Sequence, residues 1–300
     1  MTEDHHDITV CICTYRRPSF LTRLLEDIDR QHTEGLFAIS AVVADNDHLQ
    51  SAEQVVSALA ARLPLDVTYC VEPRRNIALA RNKTLEYARG DFIALIDDDE
   101  FPDRDWLLHA YKTRRAFQAD GVLGPVKPHF EEPPPPWVSQ GGFYERARHE
   151  TGFVVGWREA RTGNALFRRR MLDGITPVFN PEFGTGGEDQ DFFRRMSERG
   201  CTFVWCDEAV VYEHVPPIRW QRRLMLKRAF LRGRNSLKHP EGRMAGIVKS
   251  FVAVPMYACA MPFLLLLGHH LFMRYLVKLC DHAGKLLALV GLNRVRERCG

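Results

Sequence analysis

The stretch that decides the fold is Phe92-Ile93-Ala94-Leu95-Ile96-Asp97-Asp98-Asp99-Glu100. Its apolar half has the composition of a strand that is buried on both faces of a parallel sheet. The acids that follow repel one another at neutral pH, and a chain tolerates such a cluster best where a cation lies among the carboxylates. Oxygen ligands favour Mg²⁺ or Mn²⁺, which commonly bridge carboxylates to a diphosphate. The stretch therefore indicates a metal-binding strand end, and a solvated acidic turn is the alternative.

Strand-like and helical segments alternate before this stretch. Short apolar runs predict strands at 8–14, 39–44 and 65–71, and periodic apolar residues predict helices at 18–28, 51–63 and 77–88. This alternation is typical of βαβ units, so we predict an α/β fold with a doubly wound, mainly parallel sheet. Ligands of such sheets bind beyond the carboxyl ends of the strands. Polar residues follow three predicted strand ends there, namely Thr14-Tyr15-Arg16, Asp45 and Asp97 to Asp99.

The composition is that of an ordinary globular protein, with 300 residues of which 45% are hydrophobic and 26% are charged. A net charge of +3 is too small to argue for binding to nucleic acid. None of the eight cysteines forms a C-x-x-C pair, so we expect reduced, structural thiols. The N-terminal residues lack the basic and apolar segments of a secretory signal. Together these features predict that the catalytic part lies in the cytosol.

A second group of acids follows a glycine-rich turn. Gly186-Gly187 leads into a helix predicted over 190–199 and places Glu188 and Asp189 at its start. Glycines let a substrate approach the backbone closely, and a helix N-terminus stabilises a carboxylate. The turn therefore offers a candidate general base, and ordinary helix capping is the alternative. Arginines able to hold a diphosphate flank the predicted sheet edge at Arg16, Arg74, Arg75 and Arg81.

The composition changes twice after the predicted fourth strand. Residues 124–160 are rich in proline and glycine, which predicts an irregular loop that either covers a cleft or lies rigidly on the surface. Residues 250–268 carry no charge but contain Pro255 and Pro262, which favours a kinked span, a re-entrant segment or an in-plane helical pair. A buried soluble helix is the alternative. The basic segment 214–243 predicts a helix on anionic lipid, or a plain solvated helix.

Five short segments, taken in order along the chain, carry a resemblance to a known family. They are Ile8-Thr9-Val10-Cys11-Ile12-Cys13-Thr14-Tyr15-Arg16-Arg17, Asp45, Asn76-Ile77-Ala78-Leu79-Ala80-Arg81-Asn82, Leu95-Ile96-Asp97-Asp98-Asp99 and Gly187-Glu188-Asp189-Gln190-Asp191. In this order they resemble inverting family 2 glycosyltransferases over about residues 8–235. The wording from Ile96 to Pro102 and the apolar C-terminus look most like the bacterial exopolysaccharide branch that includes succinoglycan glucosyltransferases.

The resemblance implies a GT-A domain over residues 1–235 and a helical, apolar, membrane-associated region over residues 236–300. It also implies a nucleoside-diphosphate sugar donor, with UDP as the expected carrier. The donor-binding residues that match the family are Thr14, Tyr15, Arg16, Asp45, Arg81, Asp97 and Asp98. Thr14 and Tyr15 match the loop that lines the nucleoside, and Asp45 matches the acid that contacts the base.

The catalytic and metal positions come from the same resemblance. Asp99 is the expected direct ligand of Mn²⁺ or Mg²⁺, with Asp97 and, less strongly matched, His214 as further ligands. Asp189 matches the catalytic base of the family, and Glu188 beside it matches a residue that contacts the acceptor. The chain is thus expected to be a metal-dependent hexosyltransferase.

The resemblance also suggests partners and a location. The chain lacks the Gln-x-x-Arg-Trp signature of processive synthases, so we expect transfer of one sugar to a polyprenyl-diphosphate-linked saccharide. We expect this reaction at the cytoplasmic face of the plasma membrane, in cell-surface polysaccharide synthesis and with no nucleic-acid partner. Two other classes stay open. A nucleotidyltransferase would usually carry a glycine-rich signature where Thr14-Tyr15-Arg16-Arg17-Pro18 stands, and a non-catalytic membrane scaffold would not need Asp97, Asp99 and Asp189.

Overall fold

The computed structural model describes residues 6–184, 186–238 and 243–290. These residues fall into two compact units. The first lies within Met1–His129 and Arg146–His214, and the second lies within Phe130–Glu145 and Val215–Gly300. The units change at residue 214, whereas the sequence analysis divides the chain by function at residue 235. The division into residues 1–235 and 236–300 therefore stays a prediction about function.

Strands make up the centre of the first unit. They are β1 (His6–Thr14), β2 (Phe37–Asp45), β3 (Asp66–Val71), β4 (Phe92–Asp97), β5 (Glu100–Pro102), β6 (Gly121–Leu123), β7 (Val126–His129), β8 (Asn164–Arg168), β9 (Phe203–Trp205) and β10 (Val211–His214). The α-helices of the whole described chain are α1 (Pro18–Asp29), α2 (Glu53–Ala60), α3 (Ile77–Tyr87), α4 (Trp106–Phe117), α5 (Pro136–Ser139), α6 (Glu188–Glu198), α7 (Arg222–Asn235), α8 (Arg243–Leu267) and α9 (His269–Leu289).

The main sheet has seven strands in the order β3-β2-β1-β4-β8-β6-β9. The strands from β3 to β4 run parallel to one another, and β9 runs parallel to β6. Strand β8 is antiparallel to both of its neighbours. The prediction of a mainly parallel sheet is confirmed.

The two central strands explain why the deciding stretch is apolar throughout. Phe92, Ala94 and Ile96 of β4 pack into the core under α1, α2 and α4, while Ile93 and Leu95 pack into the core on the opposite face with α6. Strand β1 alternates in the same way. A strand covered on both faces needs apolar side chains at every position. The carboxyl ends of β1 and β4 therefore open together at one edge, with Cys13 opposite Asp97.

A smaller sheet brings the end of β10 beside the acids. Its order is β5-β10-β7, with β10 antiparallel to β5 and parallel to β7. The backbone N–H of His214, at the end of β10, donates to the backbone oxygen of Asp99 over 2.8 Å. Residues 124–160 are mostly irregular, as predicted, apart from β7 and the one-turn helix α5.

The second unit contains helices α7, α8 and α9, and α9 packs against both of the others. Helices α7 and α9 approach closely at Gly233, which has no side chain. A Cβ at this position would lie 1.9 Å from the backbone oxygen of Asp281. Helices α8 and α9 are joined at Gly268, whose φ of 144° is rarely adopted by other residues. The uncharged segment is helical, as expected, and α8 continues through both prolines.

Helix α8 is long and apolar enough to cross a membrane, judged by length and composition, and little of its most apolar window is buried. Ser250 and Tyr257 face α9, where Ser250 Oγ lies 2.8 Å from His282 Nδ1 and the Tyr257 and Tyr275 rings are 5.5 Å apart. Large apolar side chains elsewhere on α8 are exposed, among them Phe263 and Leu266. This unpacked surface is unlike the core helix of a soluble unit.

Candidate active site

Neighbouring side chains hold the carboxylates at the end of β4 in place. Asp98 is buried, and its two oxygens accept hydrogen bonds from Thr14 Oγ1 (2.9 Å) and Arg17 Nη1 (2.7 Å). Burial raises the pKa of Asp98 to about 6, although the charge of Arg17 opposes this rise. Thr14 therefore joins the end of β1 to the end of β4, as their parallel pairing requires.

Arg17 is the cation among these acids, and the sequence analysis did not single it out. Its Nη1 also lies 3.1 Å from Asp99 Oδ2, so one guanidinium group contacts two of the carboxylates. Arg16 donates to Asp47 Oδ2 over 2.8 Å, and its expected contact with the donor stays a prediction. The signal that could have identified Arg17 is its place directly before Pro18, since the first turn of α1 fixes where this side chain begins.

Arg81 connects the two groups of acids that the sequence suggested. From α3, its guanidinium group donates to Asp97 Oδ1 over 3.1 Å and to Glu188 Oε1 in a close contact. The Arg81 side chain is buried, and the charges of Glu188 and Asp97 outweigh its desolvation, so its pKa lies above the usual value. The structure thus brings together residues that lie far apart in the chain.

Glu188 is more deeply buried than an acceptor-contacting residue would be expected to be. Its Oε1 is bound to Arg81, and its Oε2 has no hydrogen-bond partner among the described residues. Burial raises the pKa of Glu188, and Arg81 opposes the rise. In this arrangement Glu188 is paired with Arg81, and its contact with an acceptor stays a prediction.

Asp189 is the more accessible of the two acids at the start of α6. Its Oδ1 accepts the backbone N–H of Gln190 (2.8 Å), and its Oδ2 lies 3.8 Å from Arg161 Nε. About a fifth of its side chain is exposed. The preceding glycines, Gly186 and Gly187, have φ angles of 121° and 100°, which other residues adopt only with strain. The turn can therefore present Asp189 to solvent while Glu188 points inward.

The residues expected to contact the nucleoside make contacts with one another and with neighbouring loops. The guanidinium carbons of Arg16 and Arg75 lie 5.1 and 4.6 Å from the centroid of the Tyr15 ring. Asp45 is fully buried, and it accepts hydrogen bonds from Ala52 N (2.7 Å), Asp47 N (3.0 Å) and Tyr69 Oη (3.0 Å). Asp45 thus shapes the loop after β2, and its contact with a base stays a prediction.

The expected metal ligands gather at the same edge. Carboxylate oxygens of Asp97 and Asp99 are the donor type that Mg²⁺ and Mn²⁺ prefer, and the backbone of His214 is bonded to that of Asp99. Their present partners are the cations Arg81 and Arg17. Within residues 6–184, 186–238 and 243–290, no three His, Cys, Asp or Glu side chains are grouped as ligands of one metal. The carboxylate oxygens of Asp97 and Asp99 fit a divalent cation by their chemistry.

Glu100 stabilises the backbone at the end of β4. The sequence analysis named it only as part of the acidic run. It is buried, and its Oε2 accepts the backbone N–H of Asp97 over 3.0 Å. Burial raises the pKa of Glu100 well above its usual range. Gly163 lies close to this carboxylate, since a Cβ there would be 2.6 Å from Glu100 Oε1. Glu100 thus fixes the backbone at which β4 ends.

Comparison with known proteins identifies the family of this chain. Residues 9–176 match the model of glycosyl transferase family 2. The chain is 38% identical over 230 residues to the succinoglycan biosynthesis protein ExoM of Rhizobium meliloti (strain 1021), and the match covers 75% of this chain and 72% of that protein.

Solved structures show the same fold at lower identity. The mannosyltransferase PcManGT from Pyrobaculum calidifontis, in complex with GDP-Man and Mn²⁺, has a TM-score of 0.66 at 19% identity, covering 98% of this chain and 88% of that chain. TarS (residues 1–349) of S. aureus, in complex with UDP-GlcNAc, has a TM-score of 0.56 at 16% identity, covering 95% and 92%. With a family match over more than half of its length, the chain belongs to glycosyl transferase family 2 and has the GT-A fold.

Proposed function

We propose that this enzyme transfers one sugar from a UDP-sugar to a lipid-linked saccharide, with inversion, in cell-surface polysaccharide synthesis. The observation that carries the proposal is the bridge formed by Arg81 between Asp97 and Glu188. It links the carboxylates that would hold the divalent cation of the donor diphosphate to the turn that holds a candidate base. The likeness to a succinoglycan biosynthesis protein supports the polysaccharide role.

The donor would lie along the ends of β1 and β4. Thr14, Tyr15 and Arg16 line the loop after β1, with Asp45 beneath the loop after β2. Arg81 and the aspartates from Asp97 to Asp99, at the end of β4, would face the diphosphate and the adjoining ribose. Two structural neighbours were solved with nucleotide sugars, which supports a donor of this class.

The departing diphosphate gains negative charge as the bond to the sugar breaks. Arg81 can offset this charge, because its guanidinium group is always protonated and is already placed at Asp97. Asp99 and Asp97, with His214, would hold a divalent cation, which supplies further positive charge at the departing diphosphate. The Mn²⁺ held by one structural neighbour supports this use of the site.

Asp189 would be the general base. Its partly exposed carboxylate can accept the proton of the acceptor hydroxyl as that oxygen attacks the anomeric carbon. The leaving diphosphate departs from the opposite face, so one displacement inverts the configuration and an α-linked donor gives a β-linked product. Glu188 would act by holding Arg81, which ties the base turn to the donor site.

The test is the release of nucleoside diphosphate from UDP-, GDP- and dTDP-sugars by the full chain in detergent with a membrane lipid extract. Samples contain Mn²⁺ or EDTA, and the variants are Asp189→Asn and, as a matched control, Asp173→Asn at an exposed acid outside the site. We expect Mn²⁺-dependent release from a UDP-sugar that Asp189→Asn abolishes and Asp173→Asn retains. Proton NMR of the product should show the inverted anomer. Release that survives Asp189→Asn, or a folded protein that binds no UDP, would overturn the proposal.

The membrane location is supported by the exposed apolar side chains of α8. Cys259 lies exposed on this helix, so a bilayer around α8 should protect it from a water-soluble maleimide. We expect rapid labelling of Cys259 when the protein is unfolded in detergent. Labelling of the folded protein in liposomes should be at least tenfold slower. Leu49→Cys, at an exposed position of the first unit, should be labelled in both. Equal rates at Cys259 in liposomes and in detergent would contradict membrane burial of α8.

A further inference from the structure

Helices α8 and α9 of the second unit pair side by side in a defined register. Ser250 Oγ of α8 lies 2.8 Å from His282 Nδ1 of α9, and the rings of Tyr257 and Tyr275 are 5.5 Å apart. The step from 250 to 257 on α8 thus corresponds to the step from 282 to 275 on α9, so the two helices run antiparallel. Each residue of α9 therefore lies level with a definite residue of α8.

Two cations of α9 lie beside the uncharged part of α8. In this register Lys278 lies level with Val254 and Arg274 lies level with Ala258, and both cations are exposed. The stretch 250–268, to which Val254 and Ala258 belong, carries no charge. If α8 crossed a bilayer with this stretch in the hydrocarbon, Arg274 and Lys278 would be carried to the same depth. Because cations facing lipid at that depth are costly, the register argues against a crossing by this pair of helices.

Helix α9 has one charged face and one apolar face. Positions 274, 278, 281 and 285 recur at the spacing of a single helix face. Asp281 in this row accepts a hydrogen bond from Arg232 Nε of α7 over 2.8 Å. On the opposite face the helical period places four apolar residues, Phe272, Leu276, Ala283 and Leu287. This division is typical of a helix that lies in the plane of a membrane surface.

The side of α8 that faces away from α9 is apolar. Ser250 and Tyr257 mark the side towards α9. The helical period places five exposed apolar residues on the opposite side, namely Val248, Val252, Cys259, Phe263 and Leu266. Scattered apolar residues are ordinary on a soluble surface, whereas a continuous row of them marks a surface that lipid or another protein covers.

We infer that the α8–α9 pair lies in the plane of one membrane leaflet and does not cross the bilayer. The side of α8 away from α9 lies among the acyl chains, while Arg274 and Lys278 lie at the phosphates of anionic headgroups. Lipid is the occupant of the apolar side because cations border it, as anionic headgroups border acyl chains. The inference rests on the membrane location within the proposed function, but it does not depend on sugar transfer.

The first test labels the full-length Lys278→Cys chain with a water-soluble maleimide in liposomes of phosphatidylcholine and phosphatidylglycerol. Mass spectrometry reads the labelling rates at position 278 and at Cys259 in the same molecules. We expect the rate at position 278 to lie within about twofold of that at Leu49→Cys, an exposed position of the first unit. Labelling at Cys259 should be at least about tenfold slower, because this side chain lies on the apolar side of α8.

Three results would overturn the inference. Slow labelling at both position 278 and Cys259 would mean that the pair crosses the bilayer. Labelling of Cys259 as rapid in liposomes as in the unfolded protein would contradict the membrane location itself, so the two failures are distinguishable. A disulfide between the Cys259 residues of two chains, formed on oxidation in liposomes, would assign the apolar side of α8 to a second copy.

The second test changes the cations. The double variant Arg274→Gln, Lys278→Gln should lower partition of the full chain into vesicles containing phosphatidylglycerol by at least about tenfold, measured by flotation. Partition into vesicles of phosphatidylcholine alone should change little. The matched control is Arg89→Gln, Arg115→Gln, which removes the same charge from exposed positions of the first unit. Equal effects in the two double variants would mean that this face of α9 is not recognised, and would also overturn the inference.

Discussion

Asp98, beside the end of β4, and Asp189, at the start of α6, belong to one candidate site but differ in how firmly their carboxylates are held. Both oxygens of Asp98 are held by Thr14 and Arg17, within a strand end that Glu100 fixes from below. Asp189 has one local hydrogen bond and a distant arginine. Groups that bind a donor gain from being placed in advance, whereas a base must be free to take up a proton. The difference separates residues that hold substrate from the residue that reacts.

The largest expected effect falls on the reaction rate. Asp189→Asn should lower kcat by about 10²–10⁴-fold, the usual contribution of a general base, because the amide cannot accept the proton. The melting temperature and the affinity for UDP should stay unchanged, since Asp189 supports little else in the fold. Steady-state kinetics and UDP calorimetry on the same preparation check this. A loss of stability instead would make Asp189 a structural residue like Asp98.

Breaking the bridge between the two groups should cost stability. Arg81→Met leaves Glu188 buried without its cation, which should lower the free energy of unfolding by about 3–5 kcal/mol. The double variant Arg81→Met, Glu188→Gln removes the unpaired charge and should recover part of this loss. Urea unfolding of wild type, both single variants and the double variant gives the coupling. Strictly additive effects would mean that Arg81 does not join the two groups.

Because Asp98 is buried, the free energy of unfolding should depend on pH. Its pKa is raised from 3.8 to about 6 in the folded chain, so folding favours its protonated form. This contribution is present below about pH 4 and is lost as pH rises through about 6, amounting to at most about 3 kcal/mol. With EDTA present, wild type should therefore lose stability relative to Asp98→Asn between pH 4 and pH 7. If the stabilities of wild type and Asp98→Asn changed in parallel with pH, this prediction would be wrong.

The smallest expected effect distinguishes Arg17 from Arg16. Arg17 opposes the rise in the pKa of Asp98, so Arg17→Gln should move the midpoint of that pH profile upward, by about one pH unit. Arg16→Gln is the matched control, because Arg16 is similarly exposed but pairs with Asp47. Its midpoint should equal that of wild type. A shift of equal size in both variants would mean that general surface charge, rather than contact with Asp98, sets the pKa.

Much of the fold could be predicted because it depends on patterns local to the chain. The apolar runs of β1 and β4 follow from burial on both faces, and the glycines before α6 follow from the backbone angles of that turn. The antiparallel strand β8 and the small sheet that brings His214 to Asp99 were not predicted, since pairing between distant strands leaves no local pattern. Arg17 and Arg161 were missed for the same reason, as most arginines are simply solvated.

By itself, the sequence determined the alternation of strands and helices, the acids at one sheet edge, the apolar C-terminal helix and the family. Each depends on residues close together in the chain, where periodicity and composition act directly. Only the tertiary structure decided which arginine neutralises which carboxylate, and that Asp45 and Glu188 are buried while about a fifth of the Asp189 side chain is exposed. Burial and pairing set the charge state and reach of a side chain, and they exist only once distant segments have packed together.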